Sequence, residues 1–142
     1  MYAIIRLRGS VKINRDIKYA LGLVRLNRKN HCILLNENEN NIGMINKIKD
    51  YITWGQIDDE TLNRLIIKRG RKIGNEILTE EESGRIADEL KSGKNLKTLG
   101  MKPVFRLTPP SGGFKKSIKQ NYPDGELGNR KEKINELLKR MI

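Results

Sequence analysis

The chain of 142 residues has one cysteine (Cys32), one histidine (His31), four prolines and only 5% aromatic residues. A single cysteine excludes an internal disulfide and suits a reducing cytosol. One histidine and one cysteine fall short of the roughly four nitrogen or sulfur ligands of a structural zinc site, so no metal is expected. No apolar run approaches the ~20 residues of a membrane span, and no signal-peptide pattern opens the chain. A soluble, cytoplasmic protein is therefore expected. Neither G-x-x-x-x-G-K-[ST] nor G-x-G-x-x-G occurs, so Gly9 and Gly22 make no phosphate loop, and no cofactor or small-molecule substrate is expected. Acidic side chains are also scarce, 17 against 29 Lys and Arg.

That shortage leaves a formal charge of +12 and a pI near 10.0, the balance of a nucleic-acid binder. Residues 1–36 carry eight basic and one acidic side chain, residues 37–99 are nearly balanced, and residues 100–142 carry ten basic and four acidic. Both ends are basic, which predicts one binding surface built by the two ends together. A membrane-surface helix fits poorly, because the lysines fall in loops as often as on helix faces. The length allows one compact domain with appendages.

Tyr2–Arg8 alternates Ala3, Ile5 and Leu7 with Tyr2, Ile4, Arg6 and Arg8, which predicts a strand. Asn14 is a candidate N-cap for a helix through Ile17, Ala20, Leu21 and Val24. Cys32–Leu35 predicts a second strand, ended by the polar run Asn36–Asn41. Met44, Ile45 and Ile48 give a short helix, and Tyr51–Trp54 a third strand. Residues 1–55 thus read β-α-β-α-β, a small core domain of α+β class. Beyond Gly55 the pattern turns helical. Asp58 or Asp59 caps a run stopped at Gly70, and Thr79–Glu82 is a capping box ahead of Ile86 and Leu90. Met101–Leu107 predicts a fourth strand that starts after Pro103. Asn129 with Glu132 repeats the capping-box spacing, predicting a closing amphipathic helix over 129–141.

Little here suggests catalysis. His31 and Cys32 are neighbours on a strand, so their side chains point to opposite faces and cannot form a dyad. Glu80–Glu82 and Asp58–Glu60 complement helix dipoles more simply than they bind metal. The segment 108–123 is different. A double proline (Pro109, Pro110) stops the preceding strand, and Gly112 and Gly113 then allow close approach to another surface. Phe114 and three lysines (Lys115, Lys116, Lys119) follow without nearby acids. Such a segment is expected to stay mobile in the free protein and to order on RNA, with Phe114 stacking on a base. Arg25, Arg28 and Lys29 form a second basic cluster, and Arg69, Arg71 and Lys72 a third. Arg6, Arg8, Lys47, Arg106, Ser111 and Arg130 complete the candidate RNA surface, where few aromatics favour phosphate contact over base stacking.

Leu7-Arg-Gly9, Leu23-Val-Arg-Leu-Asn27, Asn30-His-Cys32, Gly43-Met44 with Lys47, Leu107-Thr-Pro-Pro-Ser-Gly-Gly113 and Gly125-Glu-Leu-Gly128 resemble the archaeal form of ribosomal large-subunit protein L-thirty, whose eukaryotic relative is L-seven. The resemblance runs in order over essentially the whole chain. Residues 1–55 resemble the minimal bacterial form, and 56–142 the archaeal and eukaryotic extension. It implies a three-stranded sheet in the order 3-1-2 with ferredoxin-like character and no catalysis. It also implies binding to large-subunit ribosomal RNA with 5S RNA close by, among neighbouring ribosomal proteins. The family's basic contacts would fall on Arg8, Arg28, Lys47, Lys115 and Lys116. Ile42 and Ser111 stand where the family often has Arg. The main rival is an assembly factor that binds precursor ribosomal RNA and then leaves.

Overall fold

The computed structural model describes residues 1–142. Its strands are β1 (Tyr2–Arg6), β2 (His31–Leu35), β3 (Ile52–Gln56), β4 (Val104–Arg106), β5 (Ser117–Asn121) and β6 (Gly125–Asn129). Its helices are α1 (Arg15–Leu23), α2 (Glu39–Ile48), α3 (Asp59–Arg69), α4 (Glu80–Lys91) and α5 (Ile134–Met141), with a 3-10 turn at Lys131–Lys133. The α+β class is as expected, and the first three strands stand in the order 3-1-2. The expected three-stranded sheet is corrected to a six-stranded one, β4-β2-β1-β3-β6-β5. β4 extends it beyond β2, and β6 and β5 extend it beyond β3.

β1 is central and antiparallel to both neighbours, with Ile4 opposite Ile33 on β2 and Trp54 on β3. β4 is antiparallel to β2, with His31 opposite Arg106. β6 runs parallel to β3, and β5 parallel to β6 with a register irregularity between Ser117 and Asn121. Successive side chains on β1 point to opposite faces, and both faces are covered. Ala3, Ile5 and Leu7 join a larger core with Leu62, Leu65 and Ile66 of α3, Ile86 and Leu90 of α4, and Leu137, Leu138 and Met141 of α5. Ile4 faces a smaller core with Ala20 and Leu21 of α1 and Ile45 and Ile48 of α2. Truncating a fully buried side chain such as Leu65 to alanine costs about 2–5 kcal/mol, the transfer loss plus the cavity.

The helix starts follow their caps. Asn14, Asn38 and Asp58 each accept an N–H of the first turn, and Thr79 and Glu82 form the expected reciprocal box. The expected cap at Asn129 is corrected: Asn129 ends β6, its Oδ1 accepts the Lys131 N–H at 2.9 Å, and α5 begins only at Ile134. The start of α5 presses on β3. A Cβ on Gly55 would lie 2.0 Å from the Lys131 carbonyl oxygen and 2.9 Å from Ile134, so no side chain fits there. Asn135 fastens the same junction, donating to the Gln56 carbonyl at 3.2 Å and accepting the Asp58 N–H at 3.0 Å. No helix is long and apolar enough to cross a membrane.

Candidate nucleic-acid interface

Strand direction decides which basic residues meet. Because β1 is antiparallel to β2 and β3, its exit lies beside their starts, and β4 exits at that end too. β6 and β5, parallel to β3, begin there. One rim of the sheet therefore gathers Arg8 after β1, Arg28 and Lys29 before β2, and Lys47 in the last turn of α2. Arg106 at the end of β4 and Lys115 and Lys116 before β5 complete it. None of these seven forms an ion pair. Apart from Met1 with Glu37, every ion pair joins residues between Asp59 and Lys139. No acid neutralises these cations, although Lys116 Nζ donates to the Pro123 carbonyl and lies 5.5 Å from the Tyr122 ring centroid.

Several of these side chains are held in place. The Arg8 guanidinium lies 4.9 Å from the Tyr51 ring centroid and donates to the Asp50 carbonyl at 3.3 Å. The Lys29 stem lies across Gly9, where a Cβ would be 3.6 Å from Lys29 Cδ. His31 is held below the ordinary imidazole range, first by burial and then by Arg106, Arg28 and Arg6, so it adds a neutral ring to a cationic rim. Between the β1 exit and β5 lies an open cleft of about 730 Å³, lined by residues including Arg8, Asp50, Tyr51, Lys119 and Asn121.

The glycine turn is built rather than loose. The Gly113 N–H donates to the Pro110 carbonyl at 2.9 Å, and Gly112 (φ +77°) and Gly113 (φ +73°) occupy the left-handed region that favours glycine. The Ser111 N–H donates to the Arg140 carbonyl at 3.0 Å, while the Arg140 guanidinium grips the Ser111 carbonyl at 2.9 Å and that of Gly113. Phe114 packs partly buried against the larger core. The Lys116 N–H donates to Glu126 Oε1 at 3.0 Å, and the chain continues as β5. This corrects the expectation of a loop that packs only on RNA, and the expectation that Phe114 is free to stack on a base. Lys115, Lys116 and Lys119 remain exposed on this scaffold.

The model of a family described as "Ribosomal protein L30p/L7e" matches residues 2–52. The relatives named large ribosomal subunit protein uL30 align end to end. That of Nanoarchaeum equitans is 48% identical over 100% of this chain and 99% of its own length. That of Staphylothermus marinus is 45% identical over 100% and 98%, and that of Methanococcus vannielii 44% over 99% of each. The chain belongs to the L30p/L7e family of ribosomal proteins.

Not every candidate of this L30p/L7e chain reaches its surface. Arg6 is buried at 2% exposure, donating to the carbonyls of Arg8 and Leu26 and to Ser10 Oγ, and burial lowers its pKa. Arg130 is also buried, bonded to Glu126 and to Thr53 Oγ1. Both are corrected from RNA contacts to internal struts, because a fixed guanidinium fork satisfies several buried acceptors at once. Lys72 is paired with Glu82 at 2.8 Å, Arg71 donates to the Gly70 carbonyl at 2.7 Å, and Arg69 reaches Thr108 at 3.5 Å. Arg25 is exposed but lines a separate groove beside Leu23 and Lys97. The Cys32 thiol, fully buried, is pushed up to about 12 and supplies no nucleophile. Tyr51 and Arg140 are the supports that sequence reading missed. Tyr51 reads as the first residue of the third expected strand, and nothing in the sequence singles out Arg140.

Proposed function

We infer that the protein is a structural constituent of the large ribosomal subunit, docking on folded ribosomal RNA through the rim at the β1 exit. The observation that carries this is the end-to-end similarity to large-subunit uL30 proteins. The unpaired cations of the rim supply the means. Phosphate contacts at Arg8, Arg28, Lys29, Lys47, Arg106, Lys115 and Lys116 fix orientation, and the shape of the folded RNA gives specificity without a base code. In this reading residues 1–55 form the docking module and residues 56–142 an extension packed on it. That extension brings the segment 108–123 to the rim and offers its helical side to neighbouring ribosomal proteins. 5S RNA is the proposed near neighbour, and the protein works ribosome-bound in the cytoplasm.

The test is to purify large subunits from cells carrying a tagged copy and to wash them at high salt. A permanent constituent stays on mature subunits in about equal amount with them. Recovery only on precursor particles, with loss from mature subunits, would overturn this reading in favour of an assembly factor.

A further inference from the structure

We propose that the cleft between the β1 exit and β5 holds a single nucleotide swung out of the RNA stack, with a base that carries an exocyclic amine. The inference rests on the RNA-docking reading and goes further than phosphate contact. A cleft of about 730 Å³ falls within the size range of small-ligand sites, about 300–1,000 Å³, whereas backbone phosphates need only a surface.

The lining chemistry is also wrong for phosphate alone. Arg8 and Lys119 bring cations, but Asp50 and Asp124 bring carboxylates that would repel a phosphate chain. Neither carboxylate is in an ion pair, although Arg8 and Lys119 line the same cleft. A carboxylate accepts hydrogen bonds and donates none, so it suits an N–H donor on the ligand. Guanine, adenine and cytosine carry an exocyclic amine, and uracil does not. The rest of the lining completes a nucleotide's requirements. The Arg8 guanidinium lies 4.9 Å from the Tyr51 ring centroid, making a paired cation and aromatic group of the kind on which splayed bases stack. Asn121 offers an amide to a base edge, and Lys119 meets the phosphate of the displaced nucleotide.

The test uses the full chain and three RNA hairpins sharing one stem: fully paired, with one bulged guanine, and with one bulged uracil. Affinities are measured at low salt. The unaltered protein is expected to bind the bulged-guanine hairpin about tenfold more tightly than the bulged-uracil one. Asp50→Ala with Asp124→Ala should abolish that preference while strengthening binding to the paired hairpin, because two repulsive charges are gone. Thermal melting of this variant checks its folding, and Asp50→Asn alone, which keeps shape, should show the same change at smaller size. Lys97→Ala, in the groove away from this cleft, should leave the preference untouched. Equal gains for all three hairpins in the double variant would overturn the proposal, leaving the carboxylates as mere repulsion. No distinction among the hairpins by the unaltered protein would overturn the cleft while sparing RNA docking. Failure to bind any hairpin would likewise overturn the cleft proposal, and the high-salt wash of large subunits decides the docking reading separately.

Discussion

Glu126 on β6 and Arg130 just after that strand form the one ion pair shut away from solvent on both sides. The arrangement ties three strands. Arg130 Nε donates to Thr53 Oγ1 on β3 at 2.8 Å, Thr53 Oγ1 donates to the Gly128 carbonyl on β6 at 3.0 Å, and Glu126 accepts the Lys116 N–H at 3.0 Å. Removing one partner leaves the other charge buried and uncompensated. Glu126→Ala should therefore cost about 3–5 kcal/mol of unfolding free energy in denaturant titration. A cost below about 1 kcal/mol would show that the pair does not hold the outer strands.

Arg6 and Arg28 are both cationic and close in the fold, yet their substitutions should read differently. Arg6→Ala leaves the buried Leu26 carbonyl without its donor and should cost roughly 1–3 kcal/mol of stability. Any loss of RNA affinity in that variant should vanish where folding is complete. Arg28→Ala, at an exposed position, should keep the melting temperature within a degree or two while weakening RNA binding. Circular-dichroism melts set beside binding isotherms separate the two.

Replacing Lys115, Lys116 and Lys119 by alanine removes three exposed charges of the segment before and within β5. Each phosphate contact releases condensed counterions, so the slope of log affinity against log salt should flatten by about two to three units. The matched control is alanine at Lys91, Lys94 and Lys97. Two of those lysines are already paired, Lys91 with Asp59 at 3.5 Å and Lys94 with Glu89 at 3.4 Å, and surface pairs of this kind are worth about 0–1 kcal/mol. Equal slope changes in the two triple variants would mean that charge alone matters and that the rim is no docking surface.

His31 gives stability a dependence on pH. Its folded pKa lies below the ordinary value of 6.5, so below about pH 6.5 the unfolded chain binds more protons than the folded one. Stability should then fall as pH drops from 7 through 6, and His31→Gln should remove that part of the decline. The relevant measurement is the difference between the two proteins' denaturation midpoints across that range; parallel curves would contradict the assignment.

The β-α-β-α-β unit was legible because Ala3, Ile5 and Leu7 mark one buried face of β1 at every second residue and because Asn14 is a cap of the ordinary kind; Asp58 and Thr79 made α3 and α4 legible in the same way. β5 and β6 were not legible. Ser-Ile-Lys-Gln-Asn and Gly-Glu-Leu-Gly-Asn carry one apolar side chain each, and the fold secures them through backbone pairing and the Glu126–Arg130–Thr53 network instead of an apolar face. The same cause hid the true state of segment 108–123. Its anchor, Arg140, lies 29 residues from Ser111, beyond any local pattern. The basic rim was readable as a sum of charges but not as a place, since strand direction alone brings Arg8, Arg28, Arg106 and Lys116 together. Arg6 and Arg130 look like any surface arginine until their buried acceptors are seen.

The order of strands in the sheet has a consequence for how the chain is made. Synthesis delivers β1, β2 and β3 first, and at that stage both β2 and β3 are bare edges, open to pairing with another chain. β4 covers one edge only when residues 104–106 emerge, and β6 covers the other at residues 125–129, near the very end. The nascent protein thus carries two unguarded strand edges from residue 56 until residue 106 has emerged, and one of them until residue 129, the interval when a chaperone or its RNA is most needed.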